Sequence, residues 1–209
     1  MTLDQLAITH KADKSSAHHG YCATYEKYFE PMRDKDITLI EAGVGGYQYP
    51  DRGGNSARMF REYFTRARII TFDIHPKHPI NGVEVLQGGQ VDAEFINGLP
   101  ECDVFIDDAS HQNQLTVKTF HLAWSKVKAG GLYIIEDVHT SYWDEHGYGG
   151  DANVFELNSQ TTMNEFLFMA HMLNREHIKY DRAPIPFKQY PNNVAFIHFY
   201  SKLIVVGKQ

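Results

Sequence analysis

Cysteine is nearly missing from this chain: Cys22 and Cys102 are the only two in 209 residues, and they form no CxxC pair. A disulfide framework and a thiolate zinc site are thereby excluded, and a reducing compartment fits best. Long hydrophobic runs are missing as well. Nothing approaches the roughly 18 apolar residues of a membrane-spanning helix, and the opening MTLDQLAITHKADK lacks the apolar centre of a signal peptide. A cytoplasmic protein without a membrane partner is expected. Positive charge is in deficit, with 20 Lys plus Arg against 26 Asp plus Glu and no basic stripe. A nucleic-acid partner is therefore disfavoured. The chain has no GKS or GKT phosphate loop, and a GxGxxG fingerprint starting at Gly43 fails at Gln48. Nucleoside triphosphates and nicotinamide dinucleotides lose their main signatures.

What remains is a globular composition, 43% hydrophobic and 13% aromatic, of a length that suits one α/β domain. Short apolar runs recur at 38–44, 68–74, 83–88, 103–108 and 131–137 and read as strands. Between them, the stretch from Ser56 and the stretch 115–127 carry helical spacing, with Leu115, Phe120, Leu122, Ala123 and Val127 able to share a buried side. Alternation of strand and helix predicts a mostly parallel sheet with helices on both faces. The C-terminal stretch differs, reading as strands at 194–200 and 203–207 with no room for a crossover helix, so an antiparallel pair should close the sheet. Residues 160–178 form an amphipathic helix, and residues 1–35, with Tyr25, Tyr28 and Phe29 at helical spacing, are expected to form a lid over a core of 36–209.

The first strand runs into Glu41, Gly43, Gly45 and Gly46, a turn whose missing side chains let the backbone approach a ligand. Asp73 ends the second strand, and Gln90 and Asp92 follow the third. This layout suits a cationic nucleoside. Asp73 can accept both ribose hydroxyls, Gln90 can pair with an adenine edge, and Glu41 favours a positively charged amino group. Turn capping by Glu41 and Asp73 is the plainer alternative.

IEAGVGG, GGNSARMF, IDDASH and IEDVHTSYW together resemble the macrolide-sugar O-methyltransferases of the macrocin and mycinamicin type, over most of residues 10–150. ADKSSAHHGYCATYEKYF is similar to that family's cofactor-covering N-terminal stretch, with Ala12 where threonine is usual, and Gly89 stands where an aspartate would precede Gln90. The resemblance implies a Rossmann-like class I methyltransferase fold and S-adenosylmethionine as cofactor, held by Glu41, Gly43, Gly45, Ser56, Asp73 and Gln90. It also implies transfer of a methyl group to a hydroxyl of a sugar or glycosylated natural product. A phenol or catechol acceptor and a non-catalytic nucleoside-binding domain are the alternatives. An assembly of identical chains is compatible with the sequence.

Asp107 and Asp108 end one strand and Glu136 and Asp137 the next, so neighbouring strand tips deliver four carboxylates to one crevice. Like charges that close repel, and a divalent cation keeps them ionised together. Oxygen ligands without cysteine favour Mg2+, or Mn2+, over zinc. The resemblance implies Asp108, Glu136 and Asp137 as ligands, with Asp107 supporting the loop. Because adjacent strand residues point to opposite faces, Glu136 and Asp137 can both reach an ion only if the strand has already ended. His111 lies three positions after Asp108 and is the candidate general base, since an imidazole accepts a proton near neutral pH. His139 is its rival, and with Tyr142, Trp143, His146 and Tyr148 it is a candidate for lining the acceptor pocket.

Overall fold

A computed structural model describes residues 1–153, 160–178 and 190–209 of the chain. Two helices come first, α1 (Leu3–Thr9) and α2 (Cys22–Phe29). Thr2 starts α1 with a capping box, its hydroxyl accepting from the Gln5 amide while the Gln5 side chain accepts from the Thr2 amide. The remainder alternates: β1 (Thr38–Ala42), α3 (Asn55–Tyr63), β2 (Arg68–Asp73), β3 (Glu84–Gln87), α4 (Ala93–Gly98), β4 (Cys102–Asp107), α5 (Asn113–Ala123) and β5 (Val127–Ile135). A 3-10 stretch, Val138–Tyr142, precedes α6 (Thr162–Met172), β6 (Val194–Tyr200) and β7 (Leu203–Lys208).

The seven strands order as β3-β2-β1-β4-β5-β7-β6. All neighbours from β3 to β5 are parallel, and β7 pairs antiparallel with both β5 and β6. Alternation along the central strands feeds two separate cores. Leu39, Ile69, Val104, Ile106 and Ile134 face α1, α2 and α3, where Tyr25, Phe29, Met59 and Phe60 pack. Ile40, Ile70, Phe105, Tyr133 and Ile135 face the other side, against Phe120, Phe166 and Met169 of α5 and α6. Both faces of the sheet are thus covered, as parallel strands require. The N-terminal segment is part of a core: Tyr25 and Phe29 have no exposed surface and stack at 4.8 Å, each contributing about 1.5–3 kcal/mol by burial.

Several boundaries differ from the sequence reading. The helix expected at 115–127 ends at Ala123 and yields to a 3-10 turn at Trp124–Lys126, so β5 begins at Val127, earlier than expected. Buried Phe120, Ala123, Trp124 and Val127 fill one core through all three conformations, and an apolar face alone does not mark where helix gives way to strand. The helix expected over 160–178 stops at Met172, with Thr161 capping its start. Helix α4, which the sequence reading left out, is started by Asp92, whose carboxylate accepts from the amides of Glu94 and Phe95. No described helix is long and apolar enough to cross a membrane.

Candidate active site at the carboxyl edge of the sheet

Strand order reverses between β1 and β4, and open α/β sheets bind ligands beyond the carboxyl ends at such a switch. Here the two tips touch. The Asp108 amide donates to the Ala42 carbonyl at 3.0 Å, and a Cβ on Gly43, at φ +99°, would stand 2.1 Å from the Asp108 carbonyl oxygen. Only glycine permits that approach. Gly45 differs, because a Cβ there would meet nothing nearer than 4.0 Å. Its missing side chain leaves open room beside the turn. Lys77 braces this turn, donating to the carbonyls of Gly45 at 2.6 Å and Tyr49 at 3.2 Å.

The residues expected to meet a nucleoside each have partners within the protein. Asp73, at the tip of β2, accepts from the amides of Val44 at 3.1 Å and His75 at 2.9 Å, so it caps both neighbouring turns. The two ends of the Gln90 amide are engaged by protein: it donates to Thr119 at 3.0 Å and accepts from the Ser110 amide at 3.2 Å. Glu41 is fully buried and accepts from the Ser56 hydroxyl at 2.8 Å, while its Oε1 receives no hydrogen bond. That oxygen lies 3.5 Å from the Lys14 ammonium, an ion-pair distance. Burial pushes the Glu41 carboxyl up to about 7, with Lys14 opposing and Asp108 adding to the rise.

Past the tips of β4 and β5 lies the acidic cluster. Strand β5 ends at Ile135, so Glu136 and Asp137 are free of the strand's alternation, and Asp137 turns the chain at φ +53°. The two side chains nevertheless part company. Asp137 faces the cleft, where single donor atoms of Asp108, His111 and Asp137 all fall within 4.8 Å of one another. His111 Nε2 lies 4.0 Å from Asp108 Oδ1 and 3.7 Å from Asp137 Oδ2. Glu136 is buried and turned toward the N-terminal segment, accepting from the Tyr25 hydroxyl and from Lys14 at 2.9 Å. It is not grouped with the other two carboxylates. Asp107 is buried below them, accepting from the Tyr133 hydroxyl at 3.3 Å, and burial lifts its carboxyl to about 7.

Asp137 is ringed by histidines. His19 Nδ1 lies 3.6 Å and His139 Nδ1 3.8 Å from its Oδ1, and the Tyr21 hydroxyl donates to the same oxygen. Burial alone would raise the Asp137 carboxyl. The Tyr21 bond and the charges of His111, His19 and His139 outweigh it and hold the group below its ordinary value. For His139 burial prevails over the attraction of Asp137, so its imidazole falls below the ordinary value and stays neutral more readily. Its ring meets Trp143 edge-on at 4.6 Å. Trp143 and Tyr142 stand on the surface, both more than 40% exposed.

Lys14, His19 and Tyr21 were absent from the sequence reading of the site. The segment 10–29 reads locally as a helical lid, and only the fold brings its polar side chains onto carboxylates more than 90 positions away. Their one sequence signal is the ADKSSAHHGY stretch itself.

No family model matches the sequence. Among curated proteins, it is 34% identical over 99% of its length to an O-methyltransferase of Streptomyces olivaceus that acts on the 3' position of 8-demethyl-8-(2-methoxy-alpha-L-rhamnosyl)-tetracenomycin C. It is 31% identical, again over 99%, to the mycinamicin VI 2''-O-methyltransferase of Micromonospora griseorubida. The chain resembles O-methyltransferases that act on rhamnosylated tetracenomycin C and on mycinamicin VI. It spans about half the length of these relatives, 53% and 52% respectively. Among solved structures, the MycE methyltransferase of the mycinamycin pathway, in complex with Mg and SAH, superposes on all of this chain at a TM-score of 0.89 and 30% identity. That superposition takes in 54% of the MycE chain. A second complex of that enzyme, which also holds mycinamycin VI, gives 0.86. The fold is the Rossmann-like class I methyltransferase fold.

Proposed function

We propose that this protein is an S-adenosylmethionine-dependent, divalent-metal-dependent O-methyltransferase whose acceptor is a hydroxyl on the sugar of a glycosylated natural product, and that it works in the cytoplasm. The observation that carries the reading is the juxtaposition at the β1/β4 switch. An open glycine turn with a buried carboxylate lies on one side, and Asp108, His111 and Asp137 converge on the other. The likeness to enzymes that methylate sugar hydroxyls supports a sugar over a catechol acceptor.

The residues present fit both groups. Gly43, Gly45, Ser56, Asp73 and Gln90 surround the cofactor side, with Glu41 as the carboxylate for a cationic amino group; S-adenosylmethionine supplies an electrophilic methyl on a sulfonium. Asp108 and Asp137 offer oxygen donors to a hard cation such as Mg2+ or Mn2+, whereas Glu136, the third expected ligand, is held by Lys14 and Tyr25. A cation held there supplies Lewis acidity that makes a nearby hydroxyl easier to deprotonate. His111 acts as general base. Its Nε2 faces the cleft beside both carboxylates, and Thr140, by donating to the His111 carbonyl at 2.9 Å, fixes the loop that carries it. His139 touches Asp137 alone among these carboxylates and sits against Trp143, so its role is to shape the acceptor pocket with Tyr142 and Trp143.

Calorimetric titration with S-adenosylmethionine, with and without Mg2+, followed by methyl-transfer assays on rhamnosylated polyketides and on catechols, tests the reading. Binding of the cofactor, metal-dependent turnover and preference for the glycosylated panel are expected. Absence of cofactor binding under both conditions would leave a nucleoside-blind domain and end the proposal.

A further inference from the structure

One side chain joins the two halves of this site. Lys14 has no exposed surface. Its ammonium donates to Asp108 Oδ2 at 2.5 Å and Glu136 Oε2 at 2.9 Å, with Glu41 Oε1 at 3.5 Å. An ammonium has three N–H donors, and here three carboxylates face them. Those carboxylates stand on β1 and just past β4 and β5, which are neighbours in the sheet. Lys14 thus bolts together three strand tips from a segment that is distant in sequence. Because Asp108 Oδ2 is held, its other oxygen is the one left turned toward His111, 4.0 Å away. Tyr25 and Tyr21 add bonds to Glu136 and Asp137, so the same segment touches every carboxylate assigned to the metal.

Resting on the metal-dependent reading above, we propose that Lys14 is a positioning residue for the divalent cation, aiming Asp108 into the cleft and offsetting the mutual repulsion of Glu41, Asp108 and Glu136. The opposite view, that a cation beside a metal site only repels the metal, predicts an effect of opposite sign. Partners that orient metal ligands typically contribute about 10- to 100-fold in affinity. Loss of the ammonium therefore weakens metal binding under this proposal and tightens it under the other.

The test is titration of the full chain with Mn2+, read by the electron paramagnetic resonance of the free ion, for the wild type, Lys14→Met and Lys14→Arg. Circular dichroism reports whether each is folded. The expected result is a Kd raised about 10- to 100-fold in Lys14→Met and partly restored in Lys14→Arg. An unchanged or lower Kd in folded Lys14→Met overturns the proposal. Should Lys14→Met not fold, hydrogen exchange of the wild type decides. Saturating Mn2+ should slow amide exchange across 14–25, and unchanged or faster exchange overturns the proposal. A wild-type protein that takes up no Mn2+ overturns the metal-dependent reading together with this one, whereas wild-type uptake with an indifferent Lys14→Met removes Lys14 alone.

Discussion

Replacing Asn113 by alanine should detach the acceptor side of the cleft from the sheet. Asn113 is fully buried at the start of α5. Its amide donates to the carbonyls of Thr140 at 3.2 Å and Tyr148 at 2.9 Å, and its oxygen accepts from the Ser141 hydroxyl at 3.0 Å and the Thr162 amide at 2.7 Å. One side chain therefore ties the turn bearing His139, Tyr142 and Trp143 to the first residue of α6. The losses are unequal. Tyr148 keeps the backbone amide of Asn113, and Thr140 keeps that of Trp143, so both carbonyls remain partnered. The Thr162 amide and the Ser141 hydroxyl, on residues 2% and 1% exposed, both lose their bond to the Asn113 oxygen. A buried donor left unmade costs about 1–3 kcal/mol, and here there are two. The expected destabilisation is about 2–6 kcal/mol, equivalent to a fall in Tm of roughly 4–24 °C at this size. Asn113→Asp, which keeps the accepting oxygen, should retain the Thr162 and Ser141 bonds but set a buried carboxylate oxygen against the Thr140 and Tyr148 carbonyls. Thermal melts of both variants, with KM for the acceptor measured alongside, check the reasoning. A Tm within about 2 °C of wild type in Asn113→Ala, with unaltered KM, would show that the turn and α6 are held by other contacts.

Three further outcomes follow from the geometry. His111→Ala should bind cofactor and metal as wild type does yet lose about 10²- to 10⁴-fold in kcat, the usual worth of a positioned base; wild-type turnover would transfer the role elsewhere. Gly43→Ala forces a Cβ to within 2.1 Å of the Asp108 carbonyl at a φ of +99°, so this single methyl should lower both Tm and cofactor affinity, and unchanged values for both would contradict the contact between the β1 and β4 tips. Burial raises the Asp107 carboxyl from 3.8 to about 7, so the folded state holds a proton that the unfolded chain releases. Its contribution to stability is complete below pH 4 and is lost as the pH rises through 7, a change on the order of 4 kcal/mol. Asp107→Asn cannot titrate, and denaturant unfolding at pH 5 and pH 8 should show it gaining on the wild type at the higher pH; parallel curves would exclude Asp107 as the source.

Much of the architecture was legible because it is local. Period-two alternation in β1, β2 and β4 puts Leu39 and Ile40, or Ile69 and Ile70, on opposite faces, and both of those faces are apolar. Covered parallel strands follow from that pattern, as does the antiparallel closing pair from the short gap between Tyr200 and Leu203. The acidic strand tips were legible for the same reason: a carboxylate that ends an apolar run stands at the edge of the sheet.

What local order could not specify is where each carboxylate points and what meets it. Glu136 and Asp137 are consecutive, yet the left-handed turn at Asp137 sends one toward the cleft while the other sinks beneath Tyr25 and Lys14. Asp73 and Gln90 occupy the expected tips, but their hydrogen bonds to Val44, His75, Thr119 and Ser110 depend on loops meeting in space. Composition and periodicity thus determined the sheet, its two cores and the edge at which the chemistry would lie. Tertiary structure alone decided the partners, because a buried charge takes its neutralising group from whichever segment the fold brings near, and for these strand tips that segment is the one carrying Lys14.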